Sequence, residues 1–331
     1  MLNVEIPEIQ FALKAVSQAS RLVKQVQAEL VSNALTKDDR SPVTVADFAS
    51  QALVGSLLDE TFPQDPMVGE EDSEALRRPE GRVALEQVTQ AVSGFVAGGS
   101  SDSVCAWIDR GAGEPAGRFW TLDPIDGTKG FLRGDQYAVA LALIVDGQVQ
   151  IGALGCPNLS GIPGFTQESK GALAIAARGE GAWIGSMDGA LQSFSRLQVS
   201  PISKPNQARI LRSLESGHTN VSQIDLFAQA LGARAEPVRM DSQAKYVLLA
   251  AGGGDLYLRL LSPRQPDYRE KIWDQAAGSL LVAEAGGFVT DLLGKELDFS
   301  AGRMLKNNCG ILASNSRLHA AALAALRAID A

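Results

Sequence analysis

The chain contains little cysteine, which argues against a fold held together by disulfide bonds. Its three cysteines, Cys105, Cys156 and Cys309, are too few and too scattered for a disulfide framework, and no C-x-x-C pair occurs. We interpret them as thiols of a protein in a reducing compartment. Pairing depends on distances that a sequence does not contain, so redox control through these residues stays open.

The chain also has no long apolar run and no excess of positive charge. No basic segment followed by an apolar one opens it, and no apolar run reaches the roughly 18 residues of a membrane span, so we expect a cytoplasmic protein without a membrane partner. The formal net charge of −8 argues against binding nucleic acid by general attraction to phosphates. An acidic enzyme acting on a polyanion must supply local positive charge, for which metal ions are well suited.

What is present is typical of a globular protein with a large core. The 331 residues are 45% hydrophobic and 21% charged. At about 150 residues per domain, this length predicts two domains or one large two-layered unit. We place the boundary at residue 200, with an α+β domain over 1–200 and an α/β domain over 201–331.

The spacing of apolar residues predicts the elements of these two parts. In the first part it predicts helices over 5–34 and 46–61 around a polar loop over 36–45, and a helix within 74–103 followed by a surface excursion at 99–101. Two hairpins follow, formed by 137–145 with 149–154 and by 172–177 with 181–184. In the second part strands (209–214, 255–260, 287–291) alternate with helices (220–231, 242–250, 274–285).

The most informative segment is Asp123-Pro124-Ile125-Asp126-Gly127-Thr128. It follows a β-prone apolar run that Pro124 cannot continue, so we expect Asp123 and Asp126 in the turn past the strand's end, facing one point. Gly127 lets a ligand approach the backbone, and Thr128 can cap a helix whose free N–H groups suit a phosphate. Such a group suits a hard cation and phosphoryl chemistry. A polar turn with one capping Asp is the simpler alternative.

Two further segments, Val68–Ser73 and Ile272–Gly278, stand upstream and downstream of this motif. Together, in order and spacing from about Lys37 to about Asn315, the three resemble the lithium-sensitive, magnesium-dependent phosphatases of the inositol monophosphatase superfamily. The resemblance implies a layered αβαβα sandwich of the sugar-phosphatase type and two or three Mg²⁺ ions. It also implies a metal site in the first domain and substrate-specificity residues in the second.

The resemblance implies a set of metal ligands: Glu70, Asp123, the carbonyl of Ile125, Asp126 and Asp274. Four carboxylates crowded together are tolerable only with cations between them. By residue type alone, Glu70 also fits a solvated charge run and Asp274 a helix cap.

In the family, an Asp paired with the Thr of this motif activates water. Carried over, Asp47 and Thr128 would orient and deprotonate a metal-bound water near Glu70, and the N–H groups of Gly127 and Thr128 would hold the phosphate. No covalent phospho-enzyme is implied. Without the resemblance, Asp47 fits a carboxylate at the start of the helix over 46–61.

Three C-terminal segments, Met240–Tyr246, Asp255–Arg259 and Glu270–Asp274, closely resemble the bisphosphate nucleotidase branch of the superfamily. Those enzymes remove the 3′-phosphate of adenosine 3′,5′-bisphosphate, a by-product of sulfotransfer. The residues of this chain that the resemblance assigns to the substrate are Gly127, Thr128, Ser216, His218, Asp241, Ser242, Lys245, Arg259, Lys271 and Asp274. The three basic residues among them would meet a second phosphate. Asp241 and Ser242 would contact a ribose or base edge.

Other interpretations stay open at this point. An inositol monophosphatase or polyphosphate 1-phosphatase would keep the metal site but not need Lys245 and Arg259. A catalytically silent nucleotide sensor would be expected to lack a ligand, and none is missing. A dinucleotide-binding oxidoreductase is poorly supported, since no strand–GxGxxG–helix unit occurs. We expect a monomer with only a small-molecule nucleotide as partner. Residues 77–117 depart from the family pattern. The sequence does not decide whether the 5′-phosphosulfate analogue is also a substrate.

Overall fold

A computed structural model describes residues 2–33, 41–165, 171–187, 193–214, 221–262 and 265–330. Its helices are α1 Pro7–Asn33, α2 Ser41–Thr61, α3 Glu74–Arg77, α4 Arg82–Ser93, α5 Ser101–Asp109, α6 Thr128–Arg133, α7 Val221–Leu231, α8 Ala244–Ala250, α9 Ala276–Glu284 and α10 His319–Ala328. Its strands are β1 Met67–Gly69, β2 Arg118–Asp126, β3 Ala138–Val145, β4 Gln148–Cys156, β5 Ala172–Ala177, β6 Gly181–Ser186, β7 Ser195–Arg196, β8 Ile210–Arg212, β9 Val238–Arg239, β10 Leu256–Arg259, β11 Phe288–Thr290 and β12 Ile311–Ser314.

The first sheet has seven strands in the order β1 to β7. Only β1 and β2 pair in parallel, and the other neighbours are antiparallel. Helices α1 and α2 pack on one face of this sheet and α9 packs on the other. Because both faces are covered, β3 is a continuous apolar run rather than an alternating one, and all but its last residue are buried.

The second sheet has five strands in the order β11-β12-β10-β8-β9. Strands β10, β8 and β9 are parallel, whereas β12 runs antiparallel to both β10 and β11. The core between the sheets includes residues of α8 and α9, and a separate core lies under α7 and α10. The layers therefore follow the predicted αβαβα order, and the fold class is confirmed.

The two sheets fall on either side of residue 200, since the first ends at Arg196 and the second begins at Ile210. Helix α9 nevertheless packs on β4 and β5 of the first sheet. The division into two domains stays a prediction. Within the described residues, no helix is both long enough and apolar enough to cross a membrane.

Several predicted boundaries were wrong. Helix α2 begins at Ser41, not 46, because Pro42 is tolerated in a first helical turn, and Asp47 therefore lies inside the helix. The surface position predicted for residues 99–101 holds, since Ser100 is exposed and caps α5 by accepting a hydrogen bond from the Ser103 N–H at 3.2 Å. Strand β12 and helix α10 were not predicted at all.

The three cysteines are free: Cys105 and Cys156 are buried and Cys309 is partly exposed. Burial raises the pKa of the Cys156 thiol, and the nearby charge of Asp126 adds to this effect. A thiol of this kind is a poor nucleophile at neutral pH.

Candidate active site

A cavity of about 540 Å³ opens where the end of β2 meets α8, β10 and the turn before α9. Its lining brings together most of the predicted site residues. The lining residues are Glu70, Asp123, Ile125, Asp126, Gly127, Thr128, Lys129, Gly130, Ser213, Asp241, Ser242, Gln243, Lys245, Tyr257, Arg259, Tyr268, Lys271, Trp273 and Asp274. Asp47 lies outside this lining but close enough for its charge to raise the pKa of Asp123.

Strand β2 carries two of the acidic residues through an irregular end. Asp123 lies opposite Ala140 and Asp126 opposite Ala138, so β2 advances three residues where β3 advances two. The prediction that the strand stops at Pro124 was wrong, because the bulge accommodates the proline. The Ser50 hydroxyl donates to the Pro124 carbonyl at 3.1 Å, and Asp123 accepts from the Ile125 N–H at 3.1 Å. The Ser50 bond holds this segment against α2, and the Asp123 bond lies within the segment.

Gly127 follows at a point where the chain needs glycine. Its φ is +88°, and a Cβ there would lie 2.8 Å from the Cβ of Ser242. Gly127, not Thr128, is the N-cap of α6, so the predicted capping role of Thr128 was wrong. The Thr128 hydroxyl instead donates to the Ile125 carbonyl at 3.4 Å.

The loop that carries Glu70 is held by Gln51, a fully buried residue one turn after Asp47 in α2. The Gln51 amide donates to the Glu71 carbonyl at 2.6 Å and accepts from the Glu71 N–H at 3.1 Å. It also donates to the Ile108 carbonyl at 2.8 Å. One buried amide therefore fixes the acidic loop relative to the helix of Asp47, which nothing in the sequence pattern indicated.

Asp274 lies in the turn before α9 rather than in the helix itself, so its predicted position at the start of the helix was wrong. Gln243 holds this turn, because its side chain donates to the Trp273 carbonyl at 3.0 Å and accepts from the Gly278 N–H at 3.2 Å. The Gln243 backbone N–H donates to the Asp126 carboxylate. Gln243 thus links Asp126 to the turn that carries Asp274, and no sequence motif had singled it out.

Four of the acidic residues that line the cavity have raised pKa values. Burial is the first cause that raises the pKa of Glu70, Asp123, Asp126 and Asp274, and the charge of at least one other carboxylate adds to it in every case. Arg259 and Lys245 oppose the rise at Asp126. Burial also raises the pKa of Asp47 and that of Glu71, the latter to about 7, with further contributions from neighbouring carboxylates.

These residues fit a hard cation by donor chemistry, since carboxylate and carbonyl oxygens are the ligands that Mg²⁺ prefers. A cation among them would also relieve the repulsion that raises their pKa values. In the described parts of the chain, however, no three carboxylate, histidine or cysteine side chains converge as a metal-binding group. Backbone oxygens such as that of Ile125, or oxygens of water and substrate, would therefore have to complete a coordination sphere.

The cavity lining also contains basic side chains. Lys245 is only 3% exposed, although a lysine within a helix usually extends its ammonium into solvent. Its ammonium donates to the Ser213 hydroxyl and the Met240 carbonyl, both at 3.3 Å, and lies 5.1 Å from the centre of the Tyr257 ring. Arg259 pairs with Glu270 at 2.9 Å, which neutralises part of its charge. Lys271 lies over the Trp273 ring at 5.6 Å and lowers the pKa of Glu70.

Of the four remaining predicted substrate residues, the structure describes two, Asp241 and Ser242. Asp241 pairs with Arg133 and accepts from the Leu214 N–H at 3.0 Å, so its carboxylate already has partners. Ser242 has a φ of +63° and accepts from the Ala244 N–H at 3.2 Å. Ser216 and His218 lie outside the described residues.

Comparison with known proteins agrees with this architecture. The family model described as the inositol monophosphatase family matches residues 5–331. An inositol monophosphatase from Anabaena (Nostoc) superposes with a TM-score of 0.63 at 20% identity, covering 96% of this chain and 94% of the other. An IMPase from Thermotoga maritima gives 0.64 at 19% identity, with 98% of each chain covered. These structures support the fold alone.

Curated relatives are more similar in sequence. The 3′(2′),5′-bisphosphate nucleotidase of Schizosaccharomyces pombe is 43% identical over 325 residues, which cover 93% of this chain and 91% of the relative. The protein of the same name from Oryza sativa is 44% identical over 346 residues, covering 98% and 95%. The chain belongs to the inositol monophosphatase family.

Proposed function

We propose that this protein is a magnesium-dependent phosphatase that removes the 3′-phosphate of adenosine 3′,5′-bisphosphate and releases AMP and phosphate. The supporting observation is a cavity whose lining contains the carboxylates of Glu70, Asp123, Asp126 and Asp274 together with the buried cation Lys245. Such a cation suits a substrate with a second phosphate, whereas a monophosphate ester does not need it. Relatives named for this activity match the chain almost from end to end.

Each group of residues has a distinct part in the proposed reaction. Glu70, Asp123, Asp126, Asp274 and the Ile125 carbonyl would hold two or three Mg²⁺ ions, which when bound polarise the phosphoryl group and neutralise developing charge. Gly127 and Thr128 would orient the 3′-phosphate through their N–H groups. Lys245 and Arg259 would bind the 5′-phosphate, and Lys271 would support Glu70 or the substrate.

Together with Thr128, which would help to orient the attacking water, Asp47 would accept a proton from that water. Its raised pKa, caused first by burial, brings a carboxylate closer to the range useful to a general base. Attack in line with the leaving 3′-oxygen requires no covalent enzyme intermediate. We further propose that the protein acts as a cytoplasmic monomer and is inhibited by lithium.

Phosphate release with Mg²⁺ tests this function when adenosine 3′,5′-bisphosphate and inositol 1-phosphate are compared at equal concentration, with and without lithium. We expect a strong preference for the nucleotide and inhibition by lithium. Preference for inositol 1-phosphate would refute the nucleotide pocket while keeping the acidic site. Nucleotide binding without turnover of either compound would indicate a sensor.

The proposed role of Lys245 predicts a pH dependence. Burial lowers the pKa of this ammonium to about 8, with Asp126 opposing the change and Arg259 adding to it. Lys245 is charged below that pH and neutral above it, so kcat/KM for the bisphosphate should fall by up to about tenfold per pH unit above about pH 8. Adenosine 3′-phosphate has no 5′-phosphate and should not show this fall. Parallel profiles for the two substrates would contradict the assignment.

A further inference from the structure

We propose that Arg303 is a positioning residue that sets metal affinity. It fixes the loop that carries Glu70 directly after β1 (the Glu70 loop) relative to the turn over 273–275 that carries Asp274 (the Asp274 turn). This inference rests on the proposed function only in taking these two carboxylates as cation ligands. Arg303 lies outside the segments that identified the family, and it does not line the cavity.

The guanidinium of Arg303 donates to three backbone carbonyls around the Glu70 loop. One terminal nitrogen lies 2.5 Å from the Gly69 oxygen, and the other lies 3.1 Å from that of Gly113 and 3.3 Å from that of Gly111. Gly69 immediately precedes Glu70, and its own N–H donates to the Gly111 carbonyl at 2.8 Å. The planar guanidinium therefore bonds to the backbone of two neighbouring segments, the one that ends at Gly69 directly before Glu70 and the one over 111–113.

The same guanidinium contacts the Asp274 turn. Its central carbon lies 5.2 Å from the centre of the Trp273 ring, and Trp273 immediately precedes Asp274. The backbone adds to this link, because the Ile272 N–H donates to the Arg303 carbonyl at 3.2 Å and the Leu305 N–H donates to the Glu270 carbonyl at 2.9 Å. One side chain thus spans the residues directly before two carboxylates that come from distant parts of the chain.

This arrangement matters because a cation bound by both carboxylates requires them at a fixed separation, and Arg303 bonds to the backbone beside one and packs on the residue before the other. Without this link, the loop and the turn would be freer to shift relative to each other. Outer residues that orient metal ligands typically change metal affinity about 10- to 100-fold when substituted. Lysine at this position keeps the positive charge but not the planar fork, so Arg303→Lys isolates the geometric contribution.

The test is Mn²⁺ binding to the full chain without substrate, measured by calorimetry or electron paramagnetic resonance. Arg303→Lys should weaken binding about 10- to 100-fold and raise the metal concentration needed for half-maximal activity. At saturating metal, KM for the nucleotide should stay close to that of the wild type. The matched control is Arg209→Lys, since Arg209 is also partly exposed and donates to the Gly252 carbonyl at 2.8 Å, but in a cluster around Asp255. It should change the melting temperature and leave Mn²⁺ binding unchanged.

Wild-type Mn²⁺ affinity in Arg303→Lys, or an equal loss in Arg209→Lys, would overturn the inference. If Arg303→Lys does not fold, Trp273→Leu removes the aromatic contact and keeps the three carbonyl bonds, and it should weaken Mn²⁺ binding in the same direction; unchanged binding would overturn the inference as well. A wild-type protein that binds Mn²⁺ but does not hydrolyse the bisphosphate would refute the proposed function and leave the role of Arg303 measurable. A wild type that binds no Mn²⁺ would refute both.

Discussion

Asp123→Asn is expected to lower kcat/KM by about a thousandfold or more, because metal-assisted stabilisation of the transition state is worth several kcal/mol. Asparagine keeps the shape and can still accept the hydrogen bond from the Ile125 N–H, so the change removes mainly charge. In the metal-free protein the same substitution should raise the melting temperature, since Asp123 is buried beside Glu70, Asp126 and Asp274, which all raise its pKa. Activity and stability are thus expected to change in opposite directions.

Steady-state kinetics over a range of Mg²⁺ concentrations and thermal unfolding in a chelator would measure both effects. Asp146→Asn makes the same chemical change in the exposed turn between β3 and β4 and should leave both quantities close to wild type. An Asp123→Asn variant that keeps more than about a tenth of wild-type kcat/KM would be hard to reconcile with a metal ligand. A lower melting temperature of the metal-free variant would contradict the account of repulsion.

Lys245→Met is expected to lower kcat/KM for adenosine 3′,5′-bisphosphate by about a hundredfold, because loss of a buried charge that contacts an ionic group costs about 2–5 kcal/mol. For adenosine 3′-phosphate the change should stay within a few-fold, which makes the ratio between the two substrates the decisive quantity. Methionine has a similar length and fills the apolar surroundings near Tyr257, so the fold should tolerate it.

Lys245 opposes the rise in the pKa of Asp126, and removing one partner of a buried charge pair is destabilising, so the melting temperature of the metal-free variant should fall. Lys295→Met, on the exposed loop after β11, is the matched control and should change neither substrate. Equal losses for both substrates would show that Lys245 serves the common chemistry or the fold. No loss for either would remove it from the substrate site.

Much of the architecture followed from the sequence because it depends on local pattern. The apolar run of β3 is buried on both sides and was predicted as part of a hairpin, and α7 and α9 lie close to their predicted ranges. The predicted end of β2 was wrong because proline excludes a regular ladder of hydrogen bonds but not a β-bulge. The bulge is what orients Asp123 and Asp126.

The site was predictable only in part, for a similar reason. Motif resemblance identified residues that carry chemistry, and the cavity brings most of them together. It gave no signal for Gln51 or Arg303, whose function depends on tertiary contacts; Arg303 reaches the Gly69 carbonyl across 234 residues of chain. The motif assigned Lys245 to the substrate but did not predict its burial, since the spacing of a lysine in a helix does not tell whether its ammonium faces solvent or a cavity.

Hydrolysis of adenosine 3′,5′-bisphosphate in ¹⁸O-enriched water with Mg²⁺, followed by ³¹P nuclear magnetic resonance and mass spectrometry, tests the central claim most directly. The account predicts adenosine 5′-phosphate without label and inorganic phosphate that carries one ¹⁸O atom, because water attacks the 3′-phosphorus atom. Release of adenosine 3′-phosphate would mean that Lys245 and the carboxylates hold the opposite phosphates. No release of phosphate from the nucleotide, with Mg²⁺ bound, would contradict the proposed function itself.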